Sequence, residues 1–143
     1  MRCLRSRSRA FSALVVWMAV IFAFSSIPGG SPSSDMPLLM LFERKGAHVF
    51  EFLILFLLAY NAFRLTFPKE TFRFLGTLAV SFSLLYAFSD ETHQLFVPGR
   101  EGKLSDVGID VAGIVLGACA VYVLFGRWNF RSIRKKQSRV NPL

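Results

Sequence analysis

Four long apolar segments, separated by short polar connections, make up most of the chain. They cover residues 10–27, 46–67, 74–89 and 107–125. Each approaches the roughly 20 residues that an α-helix needs to cross about 30 Å of hydrocarbon. The segments lack the alternation of polar and apolar residues that marks a half-buried strand. Because backbone groups in lipid must bond to each other, the pattern predicts an all-α integral membrane bundle of four transmembrane helices.

The composition agrees with a membrane protein. The chain has 143 residues, of which 53% are hydrophobic and 16 are Phe. A soluble domain of this length has too little interior to hide so much apolar surface. The net charge is +8, and the basic residues lie in short clusters between the apolar runs. This distribution is typical of membrane proteins and not of nucleic-acid-binding proteins. The two cysteines, Cys3 and Cys119, have no metal-ligand spacing, and we expect no disulfide between them.

The basic residues predict how the helices are oriented. A basic N-terminus before an apolar run is also found in signal peptides. This run is longer than usual and has no evident cleavage site ending in Ala, so we expect an uncleaved first span. Thirteen of the 17 Lys and Arg residues lie in the N-terminal segment, the second connection and residues 127–143. By the positive-inside rule both termini are cytoplasmic, and residues 127–143 form a basic cytoplasmic tail.

The last three spans carry polar side chains at their predicted outer ends, at helical spacing. Lys45, His48 and Glu51 share one face of the second span, and Asp106 and Asp110 share one face of the fourth. An ionised side chain at mid-membrane costs on the order of 2.5–3.5 kcal/mol by insertion scales. We therefore expect these groups to face each other, with carboxylates meeting basic side chains. This outer polar cluster comprises Lys45, His48, Glu51, Asp90, Glu91, His93, Gln94, Arg100, Asp106 and Asp110.

Two short motifs adjoin the outer polar cluster. Gly113 and Gly117 continue the helix face that carries Asp106 and Asp110, and small residues at this spacing let two membrane helices approach closely. The dipeptide at positions 98–99, Pro-Gly, predicts a tight turn with a positive φ at the glycine. Such a turn would fold the following arginine back toward the helix ends.

Three roles for the outer polar cluster are open from the residues alone. The first is a structural network that sets helix register. The second is a binding site for a polar or anionic headgroup at the outer leaflet, where Lys45 and Arg100 would meet phosphate. The third is chemistry, with His48, His93 and carboxylates as metal ligands or as acid and base. The spacing matches no metal motif, so the sequence predicts no metal site, and no Ser or Cys nucleophile stands out beside a base.

Taken together, these motifs resemble the VanZ-like family of bacterial membrane proteins. The resemblance covers about residues 10–126, with Phe52 where Tyr is expected and Asp110 where Asn is frequent. It rests on the motifs Lys45-x-x-His48, Asp90-Glu91-x-x-Gln94 with Pro98-Gly99-Arg100, and Asp106-x-x-x-Asp110-x-x-Gly113-x-x-x-Gly117.

The resemblance implies a single multi-pass domain in the bacterial cytoplasmic membrane. The founding member of the family is associated with low-level resistance to the glycopeptide teicoplanin. We therefore expect an envelope protein, non-enzymatic or of unknown mechanism and without a cofactor, that binds a lipid-linked cell-wall precursor or a lipoglycopeptide and contributes to glycopeptide resistance. One alternative is a membrane enzyme that acts on a lipid-linked phosphate or acyl group, with His48 and Asp90 as acid and base. The other is a structural or accessory membrane subunit.

Overall fold

The protein is a bundle of four helices. The computed structural model describes residues 2–28, 38–100 and 104–126, with side chains over 6–28, 45–100 and 105–124. The helices are α1 (Arg2–Ser25), α2 (Leu38–Thr66), α3 (Phe72–Gln94) and α4 (Leu104–Val121), and a π-helical turn (Tyr122–Gly126) continues α4. No strand occurs in the described ranges, and the predicted all-α fold is confirmed. The predicted basic tail, residues 127–143, lies outside them.

Each helix contains a stretch long and apolar enough to cross a membrane. These stretches are Ser6–Ser25, Lys45–Thr66, Phe72–Gln94 and Ser105–Leu124. Large apolar side chains cover the outside of the bundle, and those of Phe22, Phe88 and Leu116 are about half exposed. Water disfavours such a surface, whereas a bilayer solvates it with lipid tails. The protein is therefore a multi-pass membrane protein, and the cytoplasmic position of its termini stays a prediction from the charge pattern.

Helix α3 extends further than the apolar pattern predicted. The apolar run ends at Ser89, but the helix continues to Gln94. Asp90, Glu91 and Gln94 are all buried on this last stretch. Their side chains point into the bundle, so the segment gains more from staying helical against its neighbours than from unwinding into a loop. At the other end of α3, the Thr71 hydroxyl accepts a hydrogen bond from a backbone N–H of the first turn and caps the helix.

Helix α2 is the centre of the bundle and packs on the other three helices. Phe52, Leu55, Phe56 and Ala59 on α2 are almost completely buried. Their spacing of i, i+3, i+4 and i+7 forms one apolar stripe along the helix. Two side-chain hydrogen bonds across the bundle help attach the partly exposed helix α1 to its neighbours.

These two bonds come from aromatic residues with a polar atom. Trp17 of α1 donates its ring N–H to the carbonyl oxygen of Glu51 at 3.0 Å. Tyr86 of α3 donates its hydroxyl to the carbonyl oxygen of Met18 at 2.6 Å. Aromatic rings with one polar atom can bury apolar surface while that atom finds a partner. Both bonds therefore hold α1 to its neighbours without exposing a polar group to lipid.

Helices α2 and α4 approach each other closely at Gly113 and Gly117. A β-carbon on Gly113 would collide with the carbonyl oxygen of Val49. A β-carbon on Gly117 would lie 2.8 Å from Cδ1 of Phe56 and 3.2 Å from the carbonyl oxygen of Leu53. These contacts leave no room for a side chain, so both glycines allow the backbones to meet.

We predict that Gly113→Ala destabilises the bundle, because the added methyl group must displace the α2 backbone. Overpacking of this kind costs about 1–3 kcal/mol. The matched control is Gly108→Ala in the same helix, where a β-carbon would meet no atom within 4 Å. That variant should be neutral or slightly stabilising, since Ala favours a helix over Gly. Thermal unfolding of the purified proteins in detergent measures both, and equal melting temperatures for the two variants would contradict the close approach.

Candidate functional site at the polar end of the bundle

One end of the bundle holds a concentration of buried polar side chains. At this polar end α1 and α3 finish and α2 and α4 begin. Ser25, Asp90, Glu91, Gln94 and Asp110 are each less than 8% exposed there. Polar groups buried away from water are stable only when other groups in the protein bond to them. The hydrogen-bond partners of each residue therefore indicate its role at the polar end.

Asp90 is held by a complete set of hydrogen bonds. The Ser25 hydroxyl of α1 donates to its Oδ1 at 2.5 Å. The Gln94 amide, one turn further along α3, donates to its Oδ2 at 2.8 Å. The amide oxygen of Gln94 in turn accepts from Arg100 Nη1 at 3.3 Å. Both oxygens of the Asp90 carboxylate are thus engaged, and they join α1 to α3.

The chain turns sharply after α3 and directs Arg100 back over the bundle. The backbone N–H of Arg100 donates to the carbonyl oxygen of Val97 at 3.1 Å, which closes a tight turn. Gly99 lies within this turn at a φ of 71°, in the left-handed region that favours glycine. The Pro98-Gly99 sequence therefore forms the turn that was predicted from it.

The Arg100 guanidinium holds the end of α1. Its Nε donates to the carbonyl oxygen of Ile27 at 3.0 Å, and its Nη2 donates to that of Phe24 at 2.9 Å. The last carbonyl groups of a helix have no partner within the helix, and they form the negative end of its dipole. The positively charged guanidinium donates hydrogen bonds to these carbonyl groups and offsets the negative end of the dipole. Arg100 therefore acts on the helix backbone, where the sequence suggested a phosphate ligand.

His93 also contacts α1. Its ring stacks on Phe22 with centroids 4.3 Å apart, and its Nε2 lies 3.0 Å from the Ser26 hydroxyl oxygen. Ser26 donates its own proton to the carbonyl oxygen of Phe22. The hydroxyl is thus able to accept from the imidazole, so His93 faces α1 and not the centre of the bundle.

His48 and Asp110 form a second polar group, between α2 and α4. His48 Nδ1 lies 3.1 Å from Asp110 Oδ1. Asp110 is 0% exposed and the His48 side chain 18% exposed. A carboxylate oxygen of Glu91 on α3 lies within 4.8 Å of an atom in each of these two residues that could bind a metal ion. The enzyme alternative paired His48 with Asp90, but the structure pairs it with Asp110, because Asp90 is turned toward Ser25.

The remaining residues of the outer polar cluster lie on the more exposed side of the polar end. Lys45 is exposed, whereas Glu51 and Asp106 are partly exposed. Asp106 accepts from the Ser105 hydroxyl at 3.3 Å and lies in the first turn of α4, where a negative charge is favourable. The structure thus divides the cluster into four parts. They are an Asp90–Gln94–Arg100 group, a His48–Glu91–Asp110 group, His93 packed against α1, and an exposed edge of Lys45, Glu51 and Asp106.

Helix α1 contributes to the polar end, which the helical spacing of the other three spans did not predict. Ser25 and Ser26 bond to the acidic and imidazole groups of α3, and the carbonyl groups of Phe24 and Ile27 bind Arg100. A signal was present, because the serine pair closes the first apolar run at the same predicted membrane depth as Asp90. Hydropathy alone treats such a pair as the start of a loop.

Comparison with known protein families identifies the family to which this chain belongs. The family model described as VanZ/LLP1 matches residues 10–126, which include most of the first membrane-spanning stretch, all of the other three and the whole polar end. The chain belongs to the VanZ/LLP1 family. This confirms the resemblance drawn from the motifs. Comparisons with curated proteins and with solved structures gave no match.

We predict that Ser25→Ala destabilises this VanZ-like protein by about 1.5–3 kcal/mol, the usual range for a hydrogen bond to a charged group. The change removes one donor from the buried Asp90 carboxylate. The matched control is Ser83→Ala on α3. Ser83 is 0% exposed, and its hydroxyl has no hydrogen-bond partner among the described residues. Its removal should be neutral or stabilising. Equal losses of thermal stability in the two variants would show that the Ser25–Asp90 bond contributes nothing specific.

Proposed function

We propose that this VanZ-like membrane protein binds the polar headgroup of a lipid-linked cell-wall molecule or lipoglycopeptide, and that it contributes in this way to teicoplanin resistance. The supporting observation is the concentration of buried and partly exposed polar side chains at one end of an otherwise apolar bundle. Intramembrane ionisable residues commonly mark functional sites. A headgroup at the membrane surface is a ligand that such a site can reach.

The chemistry of the polar end favours a ligand rich in hydrogen-bond donors. Glu51 is partly exposed, and Asp106 lies at the edge with a similar exposure. Carboxylates accept hydrogen bonds from hydroxyl and amino groups, which sugar and peptide headgroups carry. Arg100, the group best suited to a phosphate, already bonds to the end of α1. We therefore favour a glycosylated or amino-bearing headgroup over direct contact with phosphate.

The predicted orientation supports the same ligand class. The charge pattern puts both termini in the cytoplasm, which puts the polar end at the outer surface. Lipid-linked cell-wall precursors and glycopeptides are found on that side. Teicoplanin carries an acyl tail, and a tail in the bilayer would hold its polar part at the depth of these side chains.

The test is teicoplanin susceptibility of a sensitive host that expresses the wild type, Glu51→Gln or Glu70→Gln. We expect the wild type to raise the inhibitory concentration of teicoplanin over an empty vector while leaving that of vancomycin unchanged. Glu51→Gln keeps the size of the side chain but removes its charge, so protection should fall. Glu70→Gln makes the same change at an exposed position in the connection between α2 and α3, at the opposite end, and should keep protection.

Membrane levels of all three proteins are compared by immunoblot. A wild type that is well expressed and gives no protection would contradict the resistance role. Protection that persists in Glu51→Gln at equal membrane level would contradict a ligand contact at this residue.

A further inference from the structure

Three metal-ligating side chains from three different helices converge at the polar end. They are His48 of α2, Glu91 of α3 and Asp110 of α4, and one donor atom of each lies within 4.8 Å of the others. Glu91 is 7% exposed and Asp110 is 0% exposed. A histidine and two carboxylates gathered in the interior are a common ligand set of protein metal sites.

Asp110 differs from Asp90 in how its carboxylate is satisfied. Both oxygens of Asp90 accept hydrogen bonds, from Ser25 and Gln94. Asp110 contacts His48 through Oδ1, whereas its buried Oδ2 has no hydrogen-bond partner among the described residues. A buried carboxylate oxygen without a partner is costly, and a bound cation would remove that cost by coordinating it.

We propose that His48, Glu91 and Asp110 bind a divalent transition-metal cation such as Zn²⁺. An imidazole nitrogen among the ligands favours this class, because Mg²⁺ and Ca²⁺ prefer oxygen ligands alone. Zinc binds nitrogen and oxygen at about 2.0–2.2 Å, so two of its ligands lie roughly 3.3 Å apart. The 3.1 Å between His48 Nδ1 and Asp110 Oδ1 is close to that separation. The cation would replace the hydrogen bond between these two atoms, and bidentate coordination by the carboxylate would also give Oδ2 a partner. Rotation of the Glu91 side chain would bring in the third ligand, and water would complete the coordination.

The sequence showed no metal motif because no two of these ligands share a helix. The cation would link α2, α3 and α4 and would offset the negative charge of two buried carboxylates. Zinc binding at these three residues does not depend on the headgroup proposed above, so either can hold if the other fails.

The test uses the full chain with Cys3→Ser and Cys119→Ser, purified in detergent through a tag without histidine, so that neither thiols nor the tag bind zinc. After EDTA treatment and removal of the chelator, Zn²⁺ is titrated in competition with a chromophoric indicator. We expect one zinc per chain. A hundredfold excess over the dissociation constant should raise the melting temperature by roughly 5–10 °C. The same concentration of Mg²⁺ should have little effect.

His48→Gln and Asp110→Asn should each weaken zinc binding at least tenfold, and so should Glu91→Gln. The matched controls are His93→Gln, whose imidazole contacts α1, and Asp106→Asn, one turn before Asp110; both should keep the affinity. A folded wild type that binds no zinc, even if every variant is unstable, overturns the proposal. Equal losses of zinc affinity in His93→Gln and His48→Gln also overturn it, since they would show that zinc binds elsewhere.

Discussion

Hydrocarbon offers no water to a buried polar group, so a partner within the protein is what stabilises such a group in this bundle. The polar end follows from that constraint. Asp90 lies almost fully buried because Ser25 and Gln94 donate to its two oxygens. The terminal carbonyl groups of α1 are matched by the Arg100 guanidinium. Without these bonds the acidic residues of α3 would have to remain at the aqueous surface, and the helix would end earlier.

Close helix packing also determines which polar groups meet. Gly113 brings α4 against the backbone of α2 at Val49. His48 precedes Val49, and Asp110 lies one turn before Gly113. The absence of a side chain at this one position therefore brings the imidazole within 3.1 Å of the carboxylate. Helix packing and the geometry of the site thus depend on the same glycine. A larger residue at position 113 would separate the two helices and, with them, His48 from Asp110.

The fold could be predicted from the sequence to a large extent, because four apolar runs of helical length leave little choice in a membrane. The polar side chains on α2, α3 and α4 could be assigned to one end by their helical spacing. Their partners could not, since spacing does not fix how far each helix rotates about its own axis. That rotation turns Asp90 toward Ser25 and leaves Asp110 beside His48. The return of Arg100 toward the helix ends could be predicted from the Pro98-Gly99 turn, but its bonds to Phe24 and Ile27 could not, because hydropathy ignores the unbonded carbonyl groups at a helix end.

The bond between Arg100 and the end of α1 has a consequence for synthesis in the cell. Arg100 lies 73 residues after Ile27, whose carbonyl oxygen it binds. At the ribosome's rate of about 5–20 residues per second, Arg100 is made roughly 4–15 s after Ile27. During that interval the final turn of α1 must take its hydrogen bonds from water or lipid headgroups. The contacts of Arg100 with the end of α1 can therefore form only after the third helix and the turn beyond it have been made.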